Sequence, residues 1–201
     1  MGSSMVGAYE VAKLYYQQGR EAAQITSLTT DTLKLARLAE LDYADATDYM
    51  TVALNGFNMA VNESTNIVDV YSNLAAKAAA DQSEIAIAMS KTASLANSVG
   101  MSFENTSAYL TKIIETTRES AETSGTALKT VVARFAEVKK LISEGQLTGT
   151  DSEGEAIEIN KIDTALRNVG ISLKDFVSGA VGLDEVFDQL GRKWDTLDTA
   201  T

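Results

Sequence analysis

The chain of 201 residues contains no proline. No position therefore lacks its backbone N–H or carries a ring that collides with the preceding turn, and a helix can run wherever the side chains favour one. Its stops have to come from glycine, asparagine and capping side chains. The remaining composition is that of a folded chain: 45% hydrophobic and 22% charged, with mean hydropathy close to zero. Aromatic residues make up only 6% while Ala, Ser and Thr abound, which predicts a thin core in which helices approach closely through small side chains.

Two further absences narrow the function. There is no cysteine, so no disulfide framework, thiolate metal site or cysteine nucleophile is available. There is no histidine, which removes the commonest general base, the Ser-His-Asp arrangement and the Glu-x-x-His ligands of helical di-iron proteins. With no phosphate-cradling glycine loop either, an enzyme is not expected, and no cofactor or metal is implied. The net charge of −11 argues against binding nucleic acid or anionic membrane surfaces, and no apolar run is long enough to span a bilayer. Residues 1–4, Met1-Gly2-Ser3-Ser4, read as a cloning scar and not as a signal peptide.

Helix signals follow one another closely. The first helix is expected over Val6 to Gln18, stopped by Gly19; a second runs from about Thr30 to Leu41 with Asp31 in its first turn; a third runs from Tyr43 to Leu54. A fourth starts near Asn62 or Ser64 and reaches toward Ala80. A fifth opens at Asp81 with Glu84 three residues on, in the manner of a capping box, and buries Ile85, Ala88, Met89, Thr92 and Ala96. Ser102 caps a sixth helix carrying Phe103, Leu110, Ile113, Ile114 and Thr117. The seventh begins around Thr123 or Ser124 and shows the cleanest apolar face: Leu128, Val131, Val132, Phe135, Val138 and Ile142.

Composition shifts at Gly145: from there to the end lie seven of the thirteen glycines, Gly145 included. Gln146 to Ile159 reads as a hairpin turning at Asp151-Ser152-Glu153-Gly154. A short helix over Asn160 to Asn168 follows, closed by Gly170, and the last helix begins near Leu183 with Val186, Phe187, Leu190 and Trp194 on one face. The fold class is all-α: stacked helical hairpins over residues 5–144 and a smaller, mixed region with a loop or hairpin over residues 145–201. The stretch ending Asn55-Gly56-Phe57-Asn58-Met59 echoes the one ending Asn97-Ser98-Val99-Gly100-Met101, a weak internal repetition.

Three stretches carry a family resemblance. One is Lys34-Leu35-Ala36-Arg37-Leu38-Ala39 with Asp45-Ala46-Thr47-Asp48-Tyr49-Met50 and Gly56-Phe57-Asn58. Another is Asp69-Val70-Tyr71-Ser72-Asn73-Leu74-Ala75-Ala76 leading to Ala88-Met89-Ser90-Lys91-Thr92-Ala93-Ser94. The most specific runs from Gly100-Met101-Ser102-Phe103-Glu104 through Ile114-Glu115-Thr116-Thr117-Arg118-Glu119-Ser120 and Gly125-Thr126-Ala127-Leu128-Lys129-Thr130. It closes on Lys193-Trp194-Asp195-Thr196-Leu197-Asp198.

In order and spacing these stretches resemble the central region of tape measure proteins from phages and prophages of Gram-positive hosts. The departure is Phe176-Val177-Ser178-Gly179, where a more polar turn is expected. The resemblance implies a fragment of a longer structural protein of the virion tail, involved in tail length determination and tail assembly. It implies the tail tube, tail-tip and tail assembly chaperone proteins as partners, together with self-association. It places the protein in the tube lumen, and in the host cytoplasm during assembly. In such a ruler, about 200 residues counted at helical rise account for roughly 300 Å. The alternative is a helical protein–protein interaction module unrelated to phage tails.

Individual residues invite sharper readings. Asp151, Glu153 and Glu155 suggest a calcium loop, but the EF-hand spacing would put Gly149 where an acid is required. Asp184 and Glu185 fit the first turn of a helix better than a catalytic pair. Lys129 and Arg134 flank the apolar face of the seventh helix and are candidate contacts for an acidic partner, with Glu137 an alternative local mate for Arg134. Trp194 is a candidate interface anchor, though its spacing after Phe187 and Leu190 favours a helix-packing residue. Asn62-Glu63-Ser64 and Asn105-Thr106-Ser107 match glycosylation sequons without a secretion signal to give them meaning.

Overall fold

A computed structural model describes residues 5–151, 154–168 and 170–193. The described residues are overwhelmingly helical, with one two-stranded antiparallel ribbon, so the fold is all-α as expected. They form two compact units, one of residues 5–94 with 103–127, the other of residues 95–102 with 128–193.

The first unit holds α1 (Met5–Gln17), α2 (Ala22–Leu38), α3 (Tyr43–Gly56), a 3-10 turn (Val61–Glu63) running into α4 (Ser64–Ala75), most of α5 (Gln82–Ser98), α6 (Phe103–Thr117) and the start of α7 (Ala121–Ser143). Helix α2 is central, packing against α1, α3 and α4, while α4 packs against α6. Capping chemistry sets the starts. Asp42 Oδ1 accepts from Asp45 N at 2.8 Å before α3, and Ser120 Oγ accepts from Thr123 N at 3.1 Å before α7. The expected capping box at α5 is present in full: Asp81 Oδ1 accepts from Glu84 N at 2.8 Å, and Glu84 Oε2 from Asp81 N at 2.9 Å.

Several boundaries differ from expectation. Helix α2 begins at Ala22, two turns before Thr30, because Gln24 Oε1 accepts from Glu21 N at 3.2 Å and the backbone closes from there. Asp31 therefore sits inside the helix and not at its start. Helix α7 begins at Ala121, slightly ahead of the expected start, and α4 stops at Ala75, short of Ala80. On α7, Val131 is 46% exposed and Leu141 takes its place in the core.

Small residues set how closely the helices cross. A Cβ on Gly125 of α7 would lie 2.4 Å from the carbonyl oxygen of Ala88 in α5, and one on Gly56 of α3 would lie 2.6 Å from Ala93 Cβ. Phe103 is buried in the same unit. Its ring stands edge-on to Phe57 at 5.6 Å and tilted to Tyr71 at 5.5 Å.

The first unit also buries a polar knot. Asp31, 3% exposed, accepts from Lys34 Nζ at 2.8 Å, Ser64 Oγ at 2.7 Å and Thr65 Oγ1 at 2.8 Å, tying α2 to α4. Burial alone would raise the Asp31 carboxyl; the three hydrogen bonds and the Lys34 charge outweigh it and hold the group below its usual 3.8. At the next residue of α2, Tyr15 Oη and Thr32 Oγ1 bond to each other between α1 and α2, and burial of the phenol pushes it up to about 12.

The second unit comprises the end of α5, the rest of α7, β1 (Thr148–Thr150), β2 (Ala156–Glu158), α8 (Ile159–Asn168), α9 (Leu173–Ser178) and α10 (Leu183–Lys193). The hairpin pairs Thr148 with Glu158 and Thr150 with Ala156, as the turn signals predict. Its core is aromatic and branched: the Phe135 ring meets Phe176 at 5.8 Å and Phe187 at 5.9 Å, both edge-to-face, over buried Ile157, Ile171, Leu173 and Leu183. Helix α9 occupies the stretch expected as a turn. Ser172 Oγ accepts from Asp175 N at its start, and Gly179 ends it at φ +78°.

One stop recurs throughout. The residue five beyond a carbonyl donates back to it, with the residue between them left-handed: Arg20 to Tyr15 around Gly19, Leu41 to Ala36 around Glu40, Met59 to Leu54 around Asn58, Met101 to Ala96 around Gly100, Gln146 to Leu141 around Gly145, and Ile171 to Leu166 around Gly170. The echo between residues 55–59 and 97–101 is thus one backbone motif, also used elsewhere. At two of these turns the left-handed residue is not Gly but Glu40 or Asn58, and Arg118, after α6, is left-handed as well.

Candidate interaction surface

Arg134 lies on the outer side of α7, but it is drawn onto the hairpin. Its Nη1 is 3.4 Å from Asp151 Oδ2, and its Nη2 donates to the Ala156 carbonyl at 3.4 Å. Glu137, the local mate expected from helix spacing, pairs with Lys140 at 3.2 Å instead. Lys129 is exposed at the start of the apolar run, and Trp194 lies outside the described residues. Lys129 and Arg134 thus share a helix while facing different surroundings.

The acidic residues considered for chemistry have structural partners. Asp151 Oδ1 accepts from Glu155 N at 2.8 Å across the hairpin turn, and Glu153 lies outside the described residues. Asp184 accepts from Ser102 N at 3.2 Å, and Glu185 accepts from Gln189 and from Arg192, the latter at 2.9 Å. Among the described residues no group of His, Cys, Asp or Glu could hold a metal ion, and no helix is long and apolar enough to cross a membrane.

Surface features are instead apolar. In the second unit an open groove of about 440 Å³ runs between the end of α7, the hairpin, α8 and α9. Ile142, Leu147, Ile159, Leu173 and Val177 form its walls, and Lys174 and Asp163 stand at its rim. In the first unit α1 is two-faced. Gly7, Val11 and Tyr15 are buried, with Gly7 close against the Tyr43 ring, while Met5 (92% exposed), Val6 (63%), Tyr9 (68%) and Tyr16 (75%) stand in solvent. The stop at Gly19 that places the first helix assigns it no inner face. The signal for the outer one, apolar residues at 5, 9, 12 and 16, was present beside it.

Comparison with known proteins agrees with the resemblance in the sequence. The tape measure protein of Pneumococcus phage Dp-1 is 26% identical over 147 residues, covering 71% of this chain and 13% of that protein. The chain therefore spans about an eighth of the length of the curated relative it matches. No solved structure matches it. The family described as phage-related minor tail protein matches residues 1–201, and the chain belongs to that family.

Proposed function

We propose that this chain is a folded segment of a phage tail tape measure protein, taking part in tail assembly and in the determination of tail length. The observation that carries the reading is the likeness to the Dp-1 tape measure protein, which extends over most of the chain. The build of the chain supports it: capped helices with small-residue crossings, and acidic groups committed to helix ends and ion pairs. In this role its partners are the tail tube, tail-tip and tail assembly chaperone proteins and other copies of itself. Its place is the tube lumen of the virion, and the host cytoplasm before assembly. Residues 5–144 form the main body in this reading and residues 145–201 a smaller appendage, with Lys129, Arg134 and Trp194 as contact points.

Tail length measured by electron microscopy after in-frame deletion of residues 5–201 tests it. If every residue is counted at helical rise, tails shorten by roughly 300 Å. The longest helix, α7, has 23 residues and spans only about 35 Å, so the full value requires the segment to draw out in the tail. Intact tails of unchanged length would remove the length-setting role.

A further inference from the structure

The outer face of α1 has no partner within the described chain, and its spacing identifies one. Met5, Tyr9, Ala12 and Tyr16 follow one another at intervals of four, three and four residues, the seam of a two-heptad coiled coil. The inner face of the same helix is held by Val11 and Tyr15 in the core, so the outer seam is presented by a rigid support.

The geometry points to antiparallel pairing of α1 with α1 of a second copy of this chain. Three observations favour that occupant. The first is size. In antiparallel register Met5 of one copy meets Tyr16 of the other, and Tyr9 lies over Ala12. Every layer then sets a long side chain against a complementary one, including a sulfur–aromatic contact. A parallel pair would stack Ala12 on Ala12 and leave a void.

The second is charge. The chain carries −11, yet α1 holds only Glu10 and Lys13 as charged side chains, a net charge of zero (one acidic, one basic). Two copies can meet here without the repulsion their other surfaces generate. The third is area. Met5, Val6, Tyr9 and Tyr16 together offer on the order of 600 Å² per copy, so a pair buries at most about 1,200 Å², the lower end of specific interfaces. A symmetric, self-complementary patch of this kind closes as a two-fold dimer.

This names a surface for the self-association proposed above and rests on that reading only for its biological setting; the pairing itself is a property of the isolated chain. Sedimentation equilibrium of the 201-residue protein should show a monomer–dimer equilibrium, with Tyr9→Glu and Tyr16→Glu each weakening it at least tenfold. Both side chains are exposed, so unchanged thermal melts by circular dichroism establish that the variants stay folded. The chain has no cysteine, which makes crosslinking clean. Met5→Cys combined with Tyr16→Cys should give disulfide dimers under mild oxidation. Met5→Cys alone should not, since residues 5 and 16 lie about 16 Å apart along the helix. A monomer throughout the concentration range overturns the proposal. So does a dimer that survives both glutamate variants, or ready crosslinking through Met5→Cys alone. The second of these outcomes would leave self-association standing through another face.

Discussion

Ser64 Oγ donates to Asp31 Oδ2 at 2.7 Å, a buried hydrogen bond between the first residue of α4 and the middle of α2. Thr65 donates to the same oxygen and Lys34 to the other, so one carboxylate organises two helices. Asp31→Ala strands the Ser64 hydroxyl, itself 0% exposed, and should cost about 2–3 kcal/mol, read as a lower urea midpoint at unchanged slope. The Asp31 carboxyl is held below its ordinary value of 3.8 in the folded protein. Its contribution is therefore complete above that pH and is lost as pH falls through the depressed folded value. The gap between wild type and Asp31→Ala should narrow in that acid range and stay constant near neutrality.

Gly125 and Gly191 make a matched pair of tests. A methyl on Gly125 meets the Ala88 carbonyl oxygen at 2.4 Å and its Cα at 2.9 Å, backbone atoms that cannot swing aside. Gly125→Ala should destabilise by about 2 kcal/mol despite the better helix propensity of alanine. Around Gly191, inside α10, nothing lies within 4 Å. Gly191→Ala should stabilise by roughly 0.5–1 kcal/mol, measured by the same denaturation.

Glu40 holds φ at +53° where a glycine would rest without strain. Glu40→Gly should raise stability by about 1 kcal/mol, the left-handed penalty of a side chain less the added freedom of the unfolded glycine. The reverse substitution, Gly19→Ala at φ +76° with open space around it, should lower stability by a similar amount. Thermal melts of the two variants moving in opposite directions would confirm that the turn geometry, not side-chain packing, is responsible.

Two buried tyrosines should respond oppositely to loss of the hydroxyl. Tyr71 Oη is buried without a hydrogen-bond partner, so Tyr71→Phe should be neutral or stabilise by about 1 kcal/mol. Tyr15→Phe leaves Thr32, fully buried, without its mate and should cost about 1–2 kcal/mol. Burial raises both phenols above their ordinary value of 10.0, Tyr15 to about 12 and Tyr71 further. The unfolded chain loses those protons first, so stability falls as pH climbs past 10, and phenolate absorbance should show both groups ionising only with unfolding.

The sequence was most readable where one local rule decided the outcome. Asp81 and Glu84 announce α5 because a capping box needs only four residues, and the turn around Gly154 announces its hairpin in the same way. Asp31 misled because an aspartate after two threonines matches a helix start. The true start rests on Glu21 and Gln24, and glutamate is not a favoured N-cap residue. Helix α9, six residues long, is too short for a period to emerge. Arg134 shows the limit of helix-surface pairing: Glu137 was the near neighbour, but Asp151 was brought closer by a hairpin that the spacing rule does not see. The surface was the least legible part. Periodicity finds one apolar face per helix, and the second stripe on α1 emerged only when burial separated the two.

The left-handed stops have a mechanical consequence. A helix ended by proline stays ended, since the missing N–H cannot be restored. A helix ended by a single φ angle is a joint. At Glu40 and Arg118 the local backbone would relax by about 1–2 kcal/mol on turning right-handed, and at Asn58 by less since asparagine tolerates the left-handed region; that is the rotation that joins one helix to the next. The backbone hydrogen bonds that close the Glu40 and Asn58 turns, with the tertiary contacts on either side, hold these joints bent. Under an axial load that strips those contacts, the three side-chain-bearing joints are biased toward straightening, whereas the glycine joints, comfortable in either hand, are not.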